Sequence, residues 1–182
     1  MDSDRLRSAP AIDTARLSLR GHRLADFADS AAMWADPEVT RFISGRPLSR
    51  EEAWARVLRY VGHWSLMGFG HWVIREAGGW FVGEVGFADG QRDIEPGLGG
   101  APEIGWALTP GAQGRGYGAE AVAAVLAWGE RRFGGARTVC LIDPDNTASI
   151  RLAERNGYRR VAQAIHQDQP TLLFERLSPA EA

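Results

Sequence analysis

The sequence predicts one mixed α/β (α+β) domain in which strands and helices do not alternate regularly. The chain has 182 residues, 45% hydrophobic and 24% charged, which is typical of a single soluble globular domain. Its apolar positions change several times between a period of two and a period near 3.6. The resulting order, β-α-α-β-β-β-α-β-α-β-β, indicates a layered structure. We expect one domain over residues 1–182, with a core from about residue 14 to residue 177 between flexible tails.

The first half of the chain predicts one strand and two helices. Residues 14–21 (TARLSLRG) alternate apolar and polar positions, which predicts a half-buried strand. Residues 24–35 are helical in pattern, and an Asp-Pro pair ends them. Ser49 and Glu52 form a capping box in front of a second helix, predicted over residues 50–64. The predicted apolar face of this second helix comprises Trp54, Val57, Leu58 and Val61.

The second half predicts the rest of the sheet. A hairpin joins two β-rich runs across Ala77-Gly78-Gly79. A helix of apolar residues at helical spacing follows a glycine-rich segment, and a shorter helix begins near Thr147 and ends at Asn156-Gly157. The predicted strands of this half are HWVIRE (71–76), WFVGEVGFA (80–88), APEIGWAL (101–108), ARTVCLI (136–142), RRVAQAI (159–165) and TLLFERL (171–177).

Composition argues against several classes of function. The formal net charge is -2, which gives no electrostatic reason to expect a nucleic-acid partner. No apolar run approaches the roughly 18 residues that a membrane span requires, and the amino terminus lacks the apolar region of a signal peptide. Cys140 is the single cysteine, so no internal disulfide can form, and a cytoplasmic location is expected. Its strand-like surroundings predict a buried core residue.

The four histidines, His22, His63, His71 and His166, lack metal-ligand spacing, and no metal site is expected. Each is predicted to lie at the surface or in packing. His71, beside Trp72, is the candidate exception, because its strand would border a ligand cleft.

The segment from Gln113 to Gly118 (QGRGYG) carries the strongest functional signal. Three glycines in six residues, placed between a strand and a helix, allow main-chain N–H groups to converge on one point. The positive end of the following helix dipole favours an anion there, so the segment predicts a phosphate-binding site. The terminal Lys-Ser/Thr of a Walker loop is absent, and the third glycine comes one residue too early for the dinucleotide fingerprint.

Together with EIGWALTP (103–110) and NTASIRLAERNGY (146–158), this segment resembles the GNAT family of acetyl-CoA-dependent N-acyltransferases. Gln113, Gly116 and Gly118 correspond to the phosphate-binding motif of the family. The second block resembles the branch that acetylates the N termini of ribosomal proteins, as RimJ and RimL do. The resemblance runs from about Thr14 to Leu177.

The resemblance implies a central, mixed, mostly antiparallel twisted sheet of about seven strands, with a splayed parallel pair and about four flanking helices. It implies acetyl-CoA as cosubstrate, no metal, and direct attack by a primary amine of a peptide N terminus or a small molecule. The protein would be a monomer or a homodimer. An inactive acyl-CoA-binding or sensor module stays open as an alternative, and so does a nucleotide-binding oxidoreductase.

The resemblance also assigns roles to residues. Glu103 would be the base, directly or through a water, with Glu84 in reserve, although a solvated strand-end glutamate is the other interpretation. A backbone N–H at about Ala107 would stabilise the oxyanion. Ser149 is either the acid for the thiolate or a helix residue bonded locally to backbone. The residues expected to bind acetyl-CoA are Trp106, Ala107, Leu108, Gln113, Gly114, Arg115, Gly116, Tyr117, Gly118, Ala119 and Asn146, of which Asn146 could instead be only a helix N-cap.

Overall fold

The computed structural model describes residues 8–177, and this part of the chain forms one mixed sheet with helices on both faces. The strands are β1 (Ile12–Asp13), β2 (Leu17–Arg20), β3 (His71–Glu76), β4 (Phe81–Ala88), β5 (Glu103–Leu108), β6 (Thr138–Ile142), β7 (Arg159–His166) and β8 (Gln169–Arg176). The α-helices are α1 (Phe27–Trp34), α2 (Pro37–Thr40), α3 (Arg50–Met67), α4 (Tyr117–Phe133) and α5 (Thr147–Arg155).

The sheet has the order β1-β2-β3-β4-β5-β6-β8-β7. All neighbouring strands are antiparallel except β5 and β6, which are parallel. The predicted mixed, mostly antiparallel sheet with one parallel pair is therefore confirmed. Two short elements, β1 and α2, were not predicted. Helix α1 ends at Trp34, and the Asp36 side chain accepts a hydrogen bond from the Glu38 N–H, so the Asp-Pro pair begins a new helix.

The two faces of β5 determine where the sheet can meet a substrate. Even-numbered residues such as Ile104 pack in the main core with α4, whose Ala121 and Val125 are buried. Odd-numbered residues such as Ala107 lie on the opposite face, where Met33 and Trp34 of α1 cover them. The face with α4 is called the donor face below, and the face with α1 and α3 the acceptor face.

Helix α3 corrects one sequence prediction. Of the expected apolar face, Val57 is buried, but Trp54, Leu58 and Val61 are 37%, 52% and 45% exposed. The helix carries two overlapping apolar stripes, and the sequence pattern alone did not distinguish them. The buried stripe consists of Ala53, Val57, Tyr60 and Trp64.

Candidate active site

A gap between the parallel strands β5 and β6 is the first component of the site. Their pairing is confined to Glu103 and Val139, although β5 continues to Leu108 and β6 to Ile142. The two strands therefore separate towards their carboxyl ends. Main-chain groups of β5 that face β6 along this stretch have no neighbouring strand to bond, which leaves them open to an extended ligand.

The direction of the backbone N–H groups corrects the expected oxyanion donor. The Thr109 N–H donates to the Val82 carbonyl of β4 over 3.0 Å, and the register pairs Ala107 with Glu84. Because N–H directions alternate along an antiparallel strand, the Ala107 N–H also faces β4. The groups that face the gap belong to Trp106 and Leu108. The expected donor, Ala107, is therefore the residue between the two whose N–H groups the fold makes available.

The glycine-rich segment forms the second component. Gly114 and Gly116 have φ angles of 72° and 80°, a left-handed conformation that side-chain-bearing residues rarely adopt. Helix α4 begins directly afterwards at Tyr117, and no side chain caps its N terminus. The first N–H groups of a helix have no intrahelical acceptor, so the amides here are available to a ligand. The segment therefore has the backbone conformation that the predicted anion cradle requires, and anion binding stays a prediction.

Arg16, the residue directly before β2, holds this segment in place, and sequence reasoning did not find it. Its Nη1 donates to the Arg115 carbonyl over 3.0 Å, and its Nε lies 2.7 Å from Glu120 Oε2. Thr14 donates its hydroxyl proton to Glu120 over 2.6 Å. Burial raises the pKa of Glu120, but the hydrogen bonds from Thr14 and Arg16 outweigh it and lower the pKa overall. About a hundred residues separate these partners, so no local pattern could predict their contact.

The side chain of Tyr117 is not part of the cradle surface. Tyr117 is only 2% exposed and belongs to the main core, where its hydroxyl donates to Glu76. That hydrogen bond, together with burial, raises the pKa of Tyr117. The Arg115 guanidinium lies over the Tyr117 ring, 4.9 Å from its centroid. Only the backbone amide of Tyr117 can serve a ligand, whereas Arg115 is exposed and can contribute charge.

Helix α5 meets β5 at the gap. The indole N–H of Trp106 donates to Ser149 Oγ over 3.1 Å. Asn146 caps the helix, because its Oδ1 accepts from the Ser149 N–H over 3.1 Å. The N-cap interpretation of Asn146 is therefore confirmed, and contact with a cosubstrate stays a prediction. Gln113 is also near, with its Nε2 3.4 Å from the Leu108 carbonyl oxygen.

Glu103, the predicted base, lies on the acceptor face in a two-point ion pair. Arg92 places its Nε 2.5 Å from Oε2 and its Nη2 2.7 Å from Oε1. The same guanidinium lies 2.8 Å from His166 Nε2, and the hydrogen bond to Glu103 raises the pKa of Arg92. Taking up a proton would cost Glu103 this ion pair, which is geometrically favourable.

Glu84, the reserve candidate, is fully engaged. It is 1% exposed and accepts from Ser30 over 2.6 Å and from Trp34 over 2.9 Å, while His22 Nε2 lies 3.2 Å away. Burial alone raises the pKa of Glu84, but the hydrogen bonds from His22, Ser30 and Trp34 outweigh burial and lower it. We interpret Glu84 as a buried carboxylate that ties α1 to the sheet.

His71 lies close to the same part of β5. It is 9% exposed, and its ring stacks on Tyr60 of α3 with centroids 4.3 Å apart. A Cβ placed on Gly105 would lie 3.5 Å from His71 Nε2, so the imidazole covers this position of β5. Burial, followed by the nearby His22 and Arg56, lowers the pKa of His71 well below its usual value.

Residues 8–177 contain no group of three or more His, Cys, Asp or Glu side chains arranged to hold a metal ion. Within the same range, none of the helices is both long and apolar enough to cross a membrane.

The acetyltransferase (GNAT) domain family matches residues 16–159. This chain belongs to the GNAT family. This chain is 34% identical to a GnaT-family acetyltransferase from Bordetella pertussis. The two structures superimpose with a TM-score of 0.81, over 92% of this chain and 99% of the Bordetella chain. The GNAT fold predicted from the sequence is thereby confirmed.

Other similar proteins match a different share of the chain or at a lower identity. The N-acetyltransferase p20 of Bacillus licheniformis is 28% identical over 147 residues, which cover 81% of each chain. YkkB of Bacillus subtilis is 40% identical over 78 residues, and the match spans 44% of the length of YkkB. The match to YnaD of the same organism spans 34% of the length of YnaD. RimL, the ribosomal L7/L12 alpha-N-protein acetyltransferase solved with coenzyme A, shares the fold at 20% identity, with a TM-score of 0.76 over 94% of this chain and 99% of its own.

Proposed function

We propose that this protein is an acetyl-CoA-dependent N-acetyltransferase that moves the acetyl group to a primary amine by direct attack in a ternary complex. The observation that carries the proposal is the position of the anion cradle at the open end of the gap between β5 and β6. One end of an elongated acyl-CoA is anionic and the other is an extended amide chain. The cradle suits the anionic end of such a ligand, and the gap suits its extended amide chain.

On this proposal, the donor-binding surface is mostly backbone. The N–H groups from Gly114 to Ala119 hold the pyrophosphate, and Arg115 adds charge at the rim. The main-chain groups of Trp106 and Leu108 that face the gap bond the amides of the pantetheine arm, as an added strand would. Gly118 contributes by its small size, because a Cβ there would contact Leu152 and Leu108 at 3.4 and 3.6 Å.

The same backbone supplies the electrostatic part of catalysis. Attack on a thioester carbonyl puts negative charge on its oxygen, and a fixed N–H aimed at that oxygen lowers the barrier. Trp106 and Leu108 are the candidates, since their N–H groups face the gap. An oxyanion donor typically contributes about 3 to 4 kcal/mol, but a main-chain donor cannot be removed by an ordinary substitution.

The leaving thiolate needs a proton, and we propose that Ser149 provides it. Trp106 donates to Ser149 Oγ, so the hydroxyl keeps its own proton for another acceptor. Asn146 fixes the first turn of α5 that carries Ser149. A thiolate is also a good leaving group, so Ser149 is proposed as an aid to this step and not as a strict requirement.

The acceptor is proposed to carry a primary amine, and a peptide α-amine is favoured. The support is the shared fold with RimL, whose name states that it acetylates the α-amine of a ribosomal protein. Small amines stay in the proposal, because a fold does not fix a substrate. An inactive acyl-CoA-binding module is the second candidate, favoured by the ion pair that occupies Glu103.

A thiol-release assay with acetyl-CoA tests the proposal. The acceptor panel contains peptides with different N-terminal residues, polyamines, aminoglycosides and free amino acids. Turnover with peptides supports the favoured acceptor, and turnover only with small amines overturns that part. Calorimetry with CoA and with NAD separates the alternatives: CoA binding without turnover on any acceptor favours the binding module, and binding of NAD alone revives the oxidoreductase.

A further inference from the structure

The acceptor face of β5 lacks a side chain at one position near the proposed reaction centre. Glu103, Gly105 and Ala107 share this face, and Gly105 lies between the other two. His71 of β3 fills the space above Gly105 with its Nε2, 3.5 Å from the position a Cβ would take. The next residue along β5, Trp106, has its N–H in the gap. An imidazole nitrogen therefore lies beside the backbone that is proposed to hold the thioester.

The ring is held in this place by several contacts. His71 pairs with Gly86 of β4, where a Cβ would lie only 2.2 Å from the Gly70 carbonyl oxygen. β4 thus has no room for a side chain at this position. The indole of Trp64 donates to the His71 carbonyl over 2.9 Å, which fixes the backbone, and Tyr60 stacks on the ring. The position of the imidazole is built into the sheet and α3.

The other bases on this face are already occupied. Glu103 is in the two-point pair with Arg92, and Glu84 accepts from Ser30 and Trp34. In residues 8–177, the ring nitrogens of His71 form no hydrogen bond to another protein group, whereas its carbonyl oxygen accepts from the Trp64 indole. A proton acceptor free of competing partners is what general-base catalysis requires.

Burial lowers the pKa of the His71 imidazole, and the charged groups around it add to this effect. The pKa of His71 is therefore well below 6.5. Near pH 7 the ring therefore has a free lone pair on one nitrogen. The titratable and charged groups on the elements packed around it are His22 after β2, Arg56, Arg59, Tyr60 and His63 of α3, Glu84 of β4 and Glu103 of β5.

We propose that His71 is a catalytic residue that accepts the proton of the attacking amine. This inference rests on the proposed N-acetyltransferase function. The amine nitrogen forms a bond to the thioester carbon, and the C–S bond breaks with its electron pair on sulfur. The proton leaves nitrogen for His71 Nε2, directly or through one water, and passes to solvent. The sulfur takes up a proton from Ser149 or from solvent, so charge and atoms balance.

A base of low pKa suffices for this step. The N–H protons become strongly acidic as the N–C bond forms, because the nitrogen acquires positive charge. A neutral imidazole can take such a proton even though it is a weak base towards a free ammonium ion. Glu103 then remains in its two-point pair with Arg92, whose guanidinium also lies 2.8 Å from His166 Nε2, and is not the base.

The test compares two histidine variants in the full-length protein with acetyl-CoA and the best acceptor of the panel. His71→Gln is expected to lower kcat by about 10²-fold or more, the usual contribution of a general base, while the Kd for CoA stays within threefold. His63→Gln is the matched control, since His63 is also on the acceptor side but its Nε2 is 3.1 Å from the Asp89 backbone nitrogen. It is expected to change kcat by less than threefold.

Chemical rescue separates a catalytic role from a structural one. In His71→Ala, added imidazoles should restore turnover, and the restored rate should increase with the pKa of the added imidazole. A structural role would give rescue that follows size and not pKa. Turnover of His71→Gln within threefold of the wild type overturns the inference while leaving the proposed function intact. A wild type that acetylates nothing in the panel overturns both.

A third variant keeps the inference testable if substitutions at His71 fail to fold. Glu103→Gln removes the carboxylate charge that pairs with Arg92 but leaves His71, so its kcat is expected to stay within about tenfold of the wild type. A loss above 10³-fold, with the CoA Kd and the melting temperature preserved, would return the role of base to Glu103 and overturn the assignment to His71.

Discussion

The indole N–H of Trp106 and the hydroxyl of Ser149 are joined by a hydrogen bond of 3.1 Å. This bond links the strand that borders the gap to the first turn of α5. It also orients the serine hydroxyl as an acceptor towards Trp106 and as a donor towards any group in the gap. Two elements that are far apart in the sequence thus share one polar contact at the proposed site of thiolate departure.

This contact leads to the first prediction. Ser149→Ala removes the proton donor and should lower kcat by about tenfold, less than the usual effect of a general acid because the thiolate leaves readily. Ser149→Thr keeps the hydroxyl and serves as the control. Steady-state rates of thiol release with saturating acetyl-CoA measure the effect. Equal rates for the Ala and Thr variants would show that the hydroxyl takes no part in proton transfer.

The second prediction concerns the glycine cradle. Gly116→Ala places a Cβ at a φ of 80° and 3.3 Å from Arg16 Nη2, so the backbone must shift and its N–H groups turn from the ligand. We expect at least a tenfold weaker Kd for CoA, and a stability loss of about 1 to 2 kcal/mol from the left-handed conformation. Gly134→Ala, at a φ of 64° beyond the other end of α4, is the control for strain. It should lose stability without losing CoA affinity in calorimetry.

The third prediction concerns stability in acid. Burial raises the pKa of Asp26, but the hydrogen bonds from Arg20, Arg75 and the Arg23 backbone outweigh burial and bring the pKa to about 2. The folded state therefore takes up this proton at a lower pH than the unfolded chain does, in which the pKa of Asp26 is 3.8. The associated stability, about 2 kcal/mol, is complete above pH 4 and is lost as the pH falls through 2.

Asp26→Asn tests this relationship. It leaves Arg20 and Arg75 without their shared carboxylate and should cost about 3 kcal/mol or more at pH 7. The variant should also lose part of its dependence on pH between 4 and 2, as measured by urea unfolding. Asp29→Asn is the control, because Asp29 is 46% exposed and its carboxylate contacts Arg75. If both variants lose the same free energy, the network does not depend on Asp26.

The fourth prediction separates the two parts of Tyr117. Tyr117→Phe removes the hydrogen bond to Glu76 and should lower the free energy of unfolding by about 1 to 2 kcal/mol. The backbone of the cradle is unaffected, so the Kd for CoA should stay within threefold of the wild type. A large loss of CoA affinity with normal stability would place the hydroxyl in the ligand site.

Local patterns predicted most of the elements and part of the site. The capping box of Ser49 and Glu52 is present, and so is the N-cap at Asn146, because both depend on residues three positions apart. The left-handed glycines of the cradle are also present, because glycine adopts a positive φ without steric cost. Short elements such as β1, with two residues, carry too little pattern to be predicted.

Features that depend on pairing between distant segments were missed or misplaced. The oxyanion donor was placed at Ala107, since sequence gives the alternation of side chains along β5 but not which N–H groups face β4. The ion pair of Glu103 with Arg92 joins a strand to the loop before it, and loop conformation follows no simple periodicity. Tyr117 lies in a glycine-rich segment, yet the packing of α4 turns its side chain into the core.

The sequence by itself determined the family, the order of the main elements and the glycine-rich turn before α4, because these depend on residue types at short spacing. Only the tertiary structure decided that the N–H groups of Trp106 and Leu108 face the gap and that Trp106 donates to Ser149 there. It also decided that His71 lies above Gly105 on the acceptor face. The physical reason is that strand register and helix packing set the distances between residues far apart in the chain. A one-residue change of register would turn each of these groups to the other side.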